Sequence, residues 1–325
     1  MIRPNVSKLA ETFFTKHEVR TRRKEKEPFI KCVEEGFREI GYTDAEMIIQ
    51  KSRMGGSNLV IGKPDAEIIF TAHYDTPMRN GRIAMPFSSI VGKIPATLLG
   101  VILMGICIAL IYSPRILVSL LEVDGTETIV YYIIGLLFSL LFLVYMFAIL
   151  FFVKNPHNHN DNTSGCLGVY NVATIIANDA NLRGKCAFVF FDREEIGLLG
   201  SSAFAKWRNK LYPGNEDCLV INLDCIAVGD VLVVASKTKE PILAERKKLA
   251  QFFRDKSFDT VEKKSNMYGY LSDHANFSRG FMIAFLRRSK LGPLYIPNIH
   301  TAKDKVCDLE QIEKLSESLV EYISQ

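Results

Sequence analysis

Two charge-free apolar runs restrict this chain more than any other feature. Residues 94–112, "IPATLLGVILMGICIALIY", and residues 129–153, "IVYYIIGLLFSLLFLVYMFAILFFV", contain no Asp, Glu, Lys or Arg. A helix needs about 20 residues to cross the hydrocarbon core of a bilayer. A helix buried in a protein core normally keeps a polar stripe, and neither run has one. The expectation is a pair of transmembrane helices, with Tyr112, Tyr131 and Tyr132 placed as interfacial anchors. The link between them sets Arg115 against Glu122, Asp124 and Glu127, whereas Arg79, Arg82, Lys93 and Lys154 flank the pair on the outside. By the positive-inside rule the acidic link lies outside and both long flanks lie in the cytoplasm. Seven scattered Cys without a CxxC pair suit a reducing compartment, and "MIRPNVSKLAETFF" offers no apolar region for a cleavable signal peptide.

The hairpin therefore reads as an insertion, residues 88–153, that divides one soluble domain into residues 1–87 and 154–325. A net charge of +4 is too small and too dispersed for a nucleic-acid binder. The one basic block, "RTRRKEKE", interleaves Arg20, Arg22, Arg23, Lys24 and Lys26 with acids and reads as a solvated helix face, or else as a contact for an anionic membrane surface. Helices are expected over residues 6–15, 28–40, 165–178, 198–210, 242–255 and 308–323. Strands are expected over 58–62, 66–75, 185–192, 218–228 and 282–289. Apolar strands alternating with helices predict an α/β fold with a mostly parallel mixed sheet covered by helices on both faces. Ligands in such folds bind beyond the carboxyl ends of the strands.

The chemistry-bearing residues fall at such ends. His73 and Asp75 close the strand "AEIIFTAHYD", two positions apart and so on one face. Asp161 opens "DNTSGCLGVYN", where it could bind metal or cap a helix. Glu194 and Glu195 follow "CAFVFFD", Asp224 ends "CLVINLD", and His300 lies in "PNIHTAKD". Any one of these residues has an ordinary structural explanation. As a set they offer imidazole and carboxylate ligands without thiolate, which suits a catalytic zinc pair better than a structural zinc.

The order "HYD", "DNTSG", "REEIGLLGSSAF", "NLD", "SDHANF", "IHTAKD" resembles metallopeptidase family twenty-eight, the di-zinc aminopeptidases, which also holds glutamate carboxypeptidase-like enzymes and glutaminyl cyclases. The resemblance runs from about Asn58 to Cys307 and leaves the hairpin outside it. It implies a zinc-exopeptidase-like fold and two Zn2+, with other divalent ions able to use the same ligands. His73 and Asp224 would hold one ion, Glu195 and His300 the other, and Asp161 would bridge them. Asp75 would orient His73, and Glu194 would be the general base and then the acid. Tyr270, with Tyr268 as its rival, would bond the developing oxyanion or be purely structural. The implied enzyme is a membrane-anchored aminopeptidase facing the cytoplasm and acting on peptides, possible substrates including apolar or membrane-associated ones; cyclase, carboxypeptidase (with Arg287 and Arg288 as a carboxylate pocket) and non-catalytic readings are the alternatives. The chain departs from the family pattern at "NHNDN", where Gly-Ala commonly stands shortly before the bridging Asp. His157 and His159 there read as loop residues or as polar contacts at the mouth of the site. His274 reads as a buried hydrogen-bonding residue, and Trp207 as packing.

Overall fold

Strict alternation along the strands sorts their side chains between two apolar layers. Along Cys186–Phe191, Cys186, Phe188 and Phe190 join the larger core, whereas Val189 and Phe191 join a smaller one on the opposite face. The computed structural model describes residues 2–52, 56–77, 105, 129, 130, 133–137, 139–141, 144, 154–214, 217–237, 242–266, 269–289 and 293–325.

In chain order the elements are α1 (Pro4–Lys16), α2 (Arg23–Glu39), β1 (Met47–Lys51), β2 (Ser57–Ile61), β3 (Ile68–His73), α3 (Gly165–Ile176), α4 (Ala180–Lys185), β4 (Cys186–Phe191), α5 (Leu199–Leu211), β5 (Leu219–Leu223), β6 (Val231–Ser236), α6 (Ile242–Asp255), β7 (Thr260–Lys264), β8 (Gly280–Arg288), β9 (Leu294–Tyr295) and α7 (Leu309–Ile323). The strands form one sheet in the order β1-β2-β4-β3-β5-β8-β6-β7, with β9 paired to β8. β4, β3, β5 and β8 run parallel at its centre, and β6 pairs antiparallel with β8 but parallel with β7. The chain on both sides of the insertion builds this sheet, because β3 hydrogen-bonds to both β4 and β5.

Helices α1, α2, α3, α6 and α7 cover one face through residues such as Phe13, Phe37, Tyr170, Phe253 and Leu315. Helix α5 covers the other through Phe204, whose ring meets Trp207 at 5.7 Å. Strands β1, β6 and β7 were not among the expected elements. β1 and β7 form the two edges, where polar residues such as Gln50, Glu262 and Lys263 blur the period-two pattern. Helix α2 begins at Arg23 rather than Pro28: the Glu25 carboxylate accepts from the backbone N–H groups of Thr21 and Arg22, and this capping outweighs the hydrogen bond that Pro28 removes.

The basic block is corrected in part: Arg22, Arg23 and Lys24 are exposed as expected, but Arg20 and Lys26 are not. Arg20 is fully buried rather than solvated. Its guanidinium donates to the carbonyls of Tyr74 and His17 and to Thr163 Oγ1, and it stacks on Phe29 at 4.7 Å. Burial opposes its charge, while Asp75 and Asp161 favour it. Lys26 is also largely covered and pairs with Asp192 at 2.5 Å. A density of charged residues marks a surface only where nothing beneath it needs a cation, and here the site does.

The two apolar runs lie mostly outside the described residues. The helical residues described within the second run expose Leu136 to 67 % and Leu141 to 66 %. Among the described residues no helix is long and apolar enough to cross a membrane.

Gly200 sets how closely α5 approaches the end of β4. A Cβ there would fall 2.0 Å from the Asp192 carbonyl oxygen and 2.6 Å from Asn58 Oδ1. Gly200→Ala is therefore expected to destabilise the protein by about 1–3 kcal/mol, read as a lower midpoint of thermal unfolding with the far-ultraviolet spectrum retained.

Candidate metal centre

Each candidate side chain stands where a strand ends or a turn begins. His73 is the last residue of β3, Asp224 follows β5, Glu194 and Glu195 follow β4, and Asp161 sits in an irregular turn before α3. His300 lies between β9 and α7 with φ +56°. Arg193, Cys225 and Tyr270 also hold positive φ, a conformation that non-glycine residues keep only when their surroundings enforce it.

The structure brings these residues together around one cleft of about 260 Å³, lined by His73, Asp161, Glu194, Glu195, Asp224, Tyr270 and His300. Asp161 straddles the two imidazoles. Its Oδ1 lies 3.4 Å from His73 Nε2 and its Oδ2 lies 3.0 Å from His300 Nε2. His73 Nε2 is 3.9 Å from Asp224 Oδ1, and His300 Nε2 is 3.2 Å from Glu195 Oε2. His73, Glu194 and Asp224 also offer ligand atoms within 4.8 Å of one another, as do His73, Asp161 and Glu195. Asp161 does not cap α3: the N–H of Gly165, the first residue of that helix, donates to Asn162 Oδ1 instead.

Hydrogen bonds from side chains to backbone tie the ligand-bearing segments to one another. The Asp75 carboxylate accepts from the N–H of Glu194 at 3.0 Å and of Glu195 at 3.3 Å. It lies 3.6 Å from His73 Nδ1, which is closer, at 3.1 Å, to the Asp75 carbonyl oxygen. Asp75 thus holds the glutamate loop to β3 and contacts His73 chiefly through its backbone. Asp304, four residues beyond His300, accepts from the N–H groups of Asn160 and Asp161, both at 3.0 Å. Asn162 Oδ1 accepts from the N–H groups of Gly165 and Cys225, and its Nδ2 donates to the Leu223 carbonyl. Of these supports the sequence pointed to Asp75 alone; Asp304, Asn162 and the buried Arg20 beneath were not expected in this role. Asp304 carried a faint signal, because it closes the same "HTAKD" stretch that presents His300.

The electrostatics call for cations. Burial pushes the Glu194 carboxyl well above the ordinary carboxylate range; Glu195, Asp273 and Asp224 push the same way, and His73 opposes. Burial likewise raises Glu195, and carries Asp273 up to about 7. Against burial, the surrounding carboxylates hold the pKa of both His73 and His300 well above the ordinary imidazole value. Asp75, Asp161, Glu194, Glu195, Asp224 and Asp273 thus outnumber the positive charge that two imidazoles can carry. Among the described residues, Glu195 Oε1 and Asp161 Oδ2 are buried without a hydrogen-bond partner, the latter despite its nearness to His300. Two imidazoles, several carboxylates and unsatisfied buried oxygens fit zinc or a related divalent ion. Burial pushes the Cys225 thiol well above its ordinary value, and its sulfur lies within 4.8 Å of carboxylate oxygens of Asp161 and Asp224.

The other wall of the cleft is apolar, with Leu271, Met282, Tyr295, Ile296 and Ile299. Tyr270 stands at the same cleft, and Tyr268 lies outside the described residues. Arg287 and Arg288 sit on the exposed end of β8, Arg288 pairs with Asp259 at 3.0 Å, and neither lines the cleft. His274 is buried, bonded to Ser265 at 2.6 Å and pushed by burial down to about 3, so it is neutral and belongs to the core.

Comparison with known proteins bears on the fold and the family. The structure resembles the LapA aminopeptidase of Legionella pneumophila at 16% identity, covering 97% of this chain and 68% of that one, with a TM-score of 0.59. It resembles a glutaminyl cyclase of Bacteroides thetaiotaomicron bound to N-acetylhistamine at 14% identity, covering 98% and 94%, with a TM-score of 0.58. A leucine aminopeptidase precursor from Bacteroides thetaiotaomicron is similar at 14% identity, covering 98% and 93%, with a TM-score of 0.57. At these identities the likeness establishes the fold. Comparison with curated protein sequences gives no match. The family model for peptidase family M28 matches residues 155–323, which hold Asp161, Glu194, Glu195, Asp224 and His300, and the chain belongs to that family.

Proposed function

We propose that the protein is a zinc-dependent aminopeptidase that removes N-terminal residues from peptides. The observation that carries this reading is Asp161, whose two oxygens face His73 and His300 on opposite sides of one acidic cleft. His73 and Asp224 would hold one ion and Glu195 and His300 a second, with Asp161 shared between them. When bound, such a pair supplies Lewis acidity, lowering the pKa of a water and polarising a peptide carbonyl.

The chain's own groups do the rest. The surroundings of Glu194 make its carboxylate a strong proton acceptor, and it can take a proton from the attacking water and return it to the leaving amine. Among the described residues the cleft presents no Lys or Arg, so it favours a peptide's N-terminal amine over a terminal carboxylate. The apolar wall from Met282 to Ile299 suits an uncharged first side chain. Tyr270, at the same cleft, would donate to the developing oxyanion. The resemblance to a glutaminyl cyclase keeps one rival in view: loss of ammonia from peptides with N-terminal Gln, with one tightly bound zinc per chain, would favour cyclisation over hydrolysis.

We also place the protein at a membrane, its catalytic domain facing the cytoplasm and residues 88–153 as a two-helix anchor. The charge-free runs and the exposed Leu and Ile side chains within the second support this. The substrates would then include apolar or membrane-associated peptides.

Three outcomes are expected. Glu194→Gln should lower kcat about 10²–10⁴-fold with zinc content unchanged, and wild-type turnover in that variant would remove Glu194 as the base. Asp304→Asn leaves one acceptor oxygen for two backbone N–H groups, so it should release zinc to chelator faster than wild type, measured by a fluorescent zinc indicator. Replacing residues 88–153 by a short polar linker should move the protein from the membrane to the soluble fraction. It should also lower efficiency on lipid-associated peptides more than on soluble ones. Equal efficiency on both after the swap would end the membrane-substrate reading.

A further inference from the structure

Among the described residues, one other set of side chains outside the candidate cleft converges as metal ligands do. Glu18, in the segment between α1 and α2, meets His157 and His159, in the segment leading to Asp161. Glu18 Oε1 lies 2.8 Å from His157 Nδ1 and 2.8 Å from His159 Nε2. The catalytic cleft shows comparable spacing, with His300 Nε2 at 3.0 Å from Asp161. The imidazole rings stand at 90° with centroids 6.1 Å apart, so two different ring nitrogens are aimed at one point from different directions.

The cluster is built rather than incidental. The His159 ring stacks on Phe14 at 4.2 Å, which fixes its plane. Asn158 Nδ2 donates to the Glu18 carbonyl at 2.8 Å, and Asn155 Nδ2 donates to the His157 carbonyl at 2.8 Å. The N–H of His159 donates to the Asp304 carbonyl at 3.2 Å. Both ligand-bearing segments are therefore held by their backbones independently of the side chains. His157 and His159, two apart, share a face, while Asn158 between them points to Glu18's main chain. The three side chains keep between 16% and 27% exposure, which leaves a path for an ion and room for water ligands.

We propose that Glu18, His157 and His159 form a further divalent-cation site, separate from the catalytic centre. Two imidazoles and one carboxylate without thiolate select zinc or a neighbouring first-row ion over magnesium or calcium. The site clamps the α1–α2 connection to the residues that deliver Asp161. His159 precedes Asp161 by two residues and shares Asp304 with it, through the carbonyl in one case and the carboxylate in the other. Occupancy thus stiffens the approach to the catalytic turn without supplying a catalytic group.

The test is zinc content per full-length chain after equilibrium dialysis against buffered free zinc, read by mass spectrometry. His157→Ala/His159→Ala should carry one equivalent less than wild type. His300→Ala, which damages the catalytic centre, should keep that equivalent, so a wrong catalytic assignment cannot be mistaken for a wrong assignment here. Glu18→Gln is the milder variant: it preserves an acceptor for both imidazoles and should still lose the same ion. Unchanged zinc content in Glu18→Gln, or in a folded double-histidine variant, would show a hydrogen-bonded triad only and overturn the proposal.

Discussion

Negative charge concentrated at the carboxyl ends of the central strands governs this structure. Asp75, Asp161, Glu194, Glu195, Asp224 and Asp273 crowd around His73 and His300; Asp75, Asp161 and Asp273 are buried and the other three half-buried. Uncompensated buried charge is expensive. The fold offsets it partly from below, where Arg20 is buried with its charge favoured by Asp75 and Asp161. The remainder needs protons, on the imidazoles or on raised carboxylates such as Asp273, or cations between the carboxylates. Cations leave His73 and His300 neutral, as ligation requires.

The same pressure explains why the ligand segments are joined to one another. A metal centre loses its geometry if its ligands stand on independent loops. Here Asp75 holds the Glu194–Glu195 loop, Asp304 holds the Asn160–Asp161 turn, and Asn162 holds the end of β5 beside Asp224. These links run from a side chain to backbone N–H groups, so each fixes a neighbouring segment without using a ligand of its own. The positive φ values at Arg193, Cys225 and His300 lie at the joints of this arrangement.

The candidate site residues were legible in the sequence, Asp75 among them, whereas Asp304, Asn162 and Arg20 were not, for physical reasons. His73, Asp161, Glu194, Glu195, Asp224 and His300 stand at the ends of apolar strands or the starts of helices, where polar residues contrast with their surroundings. The central strands were legible for the same reason, whereas β1 and β7 at the sheet edges carry polar residues that dilute the pattern. Arg20 was misread because it lies in a run of charge and its partners are distant in sequence, Thr163 being 143 residues away. Glu18 and His157 are 139 residues apart, so only the folded chain brings them together. The covering of Asp304 and its two N–H partners is likewise a property of the tertiary structure alone.

The insertion can be weighed against this scheme through its neck. Residues 78–153 separate β3, which ends in His73, from the turn that carries Asp161. Yet the Asn155 N–H donates to the Pro77 carbonyl at 3.4 Å, the Thr76 hydroxyl accepts from the Arg20 N–H, and Lys154 pairs with Glu25. The chain thus leaves and returns at adjacent points that are fastened to the domain on both sides. Closing a longer loop between ends already held together costs little more than closing a short one, since the entropy grows only with the logarithm of length. A long apolar insertion can therefore stand at this position without straining the metal centre.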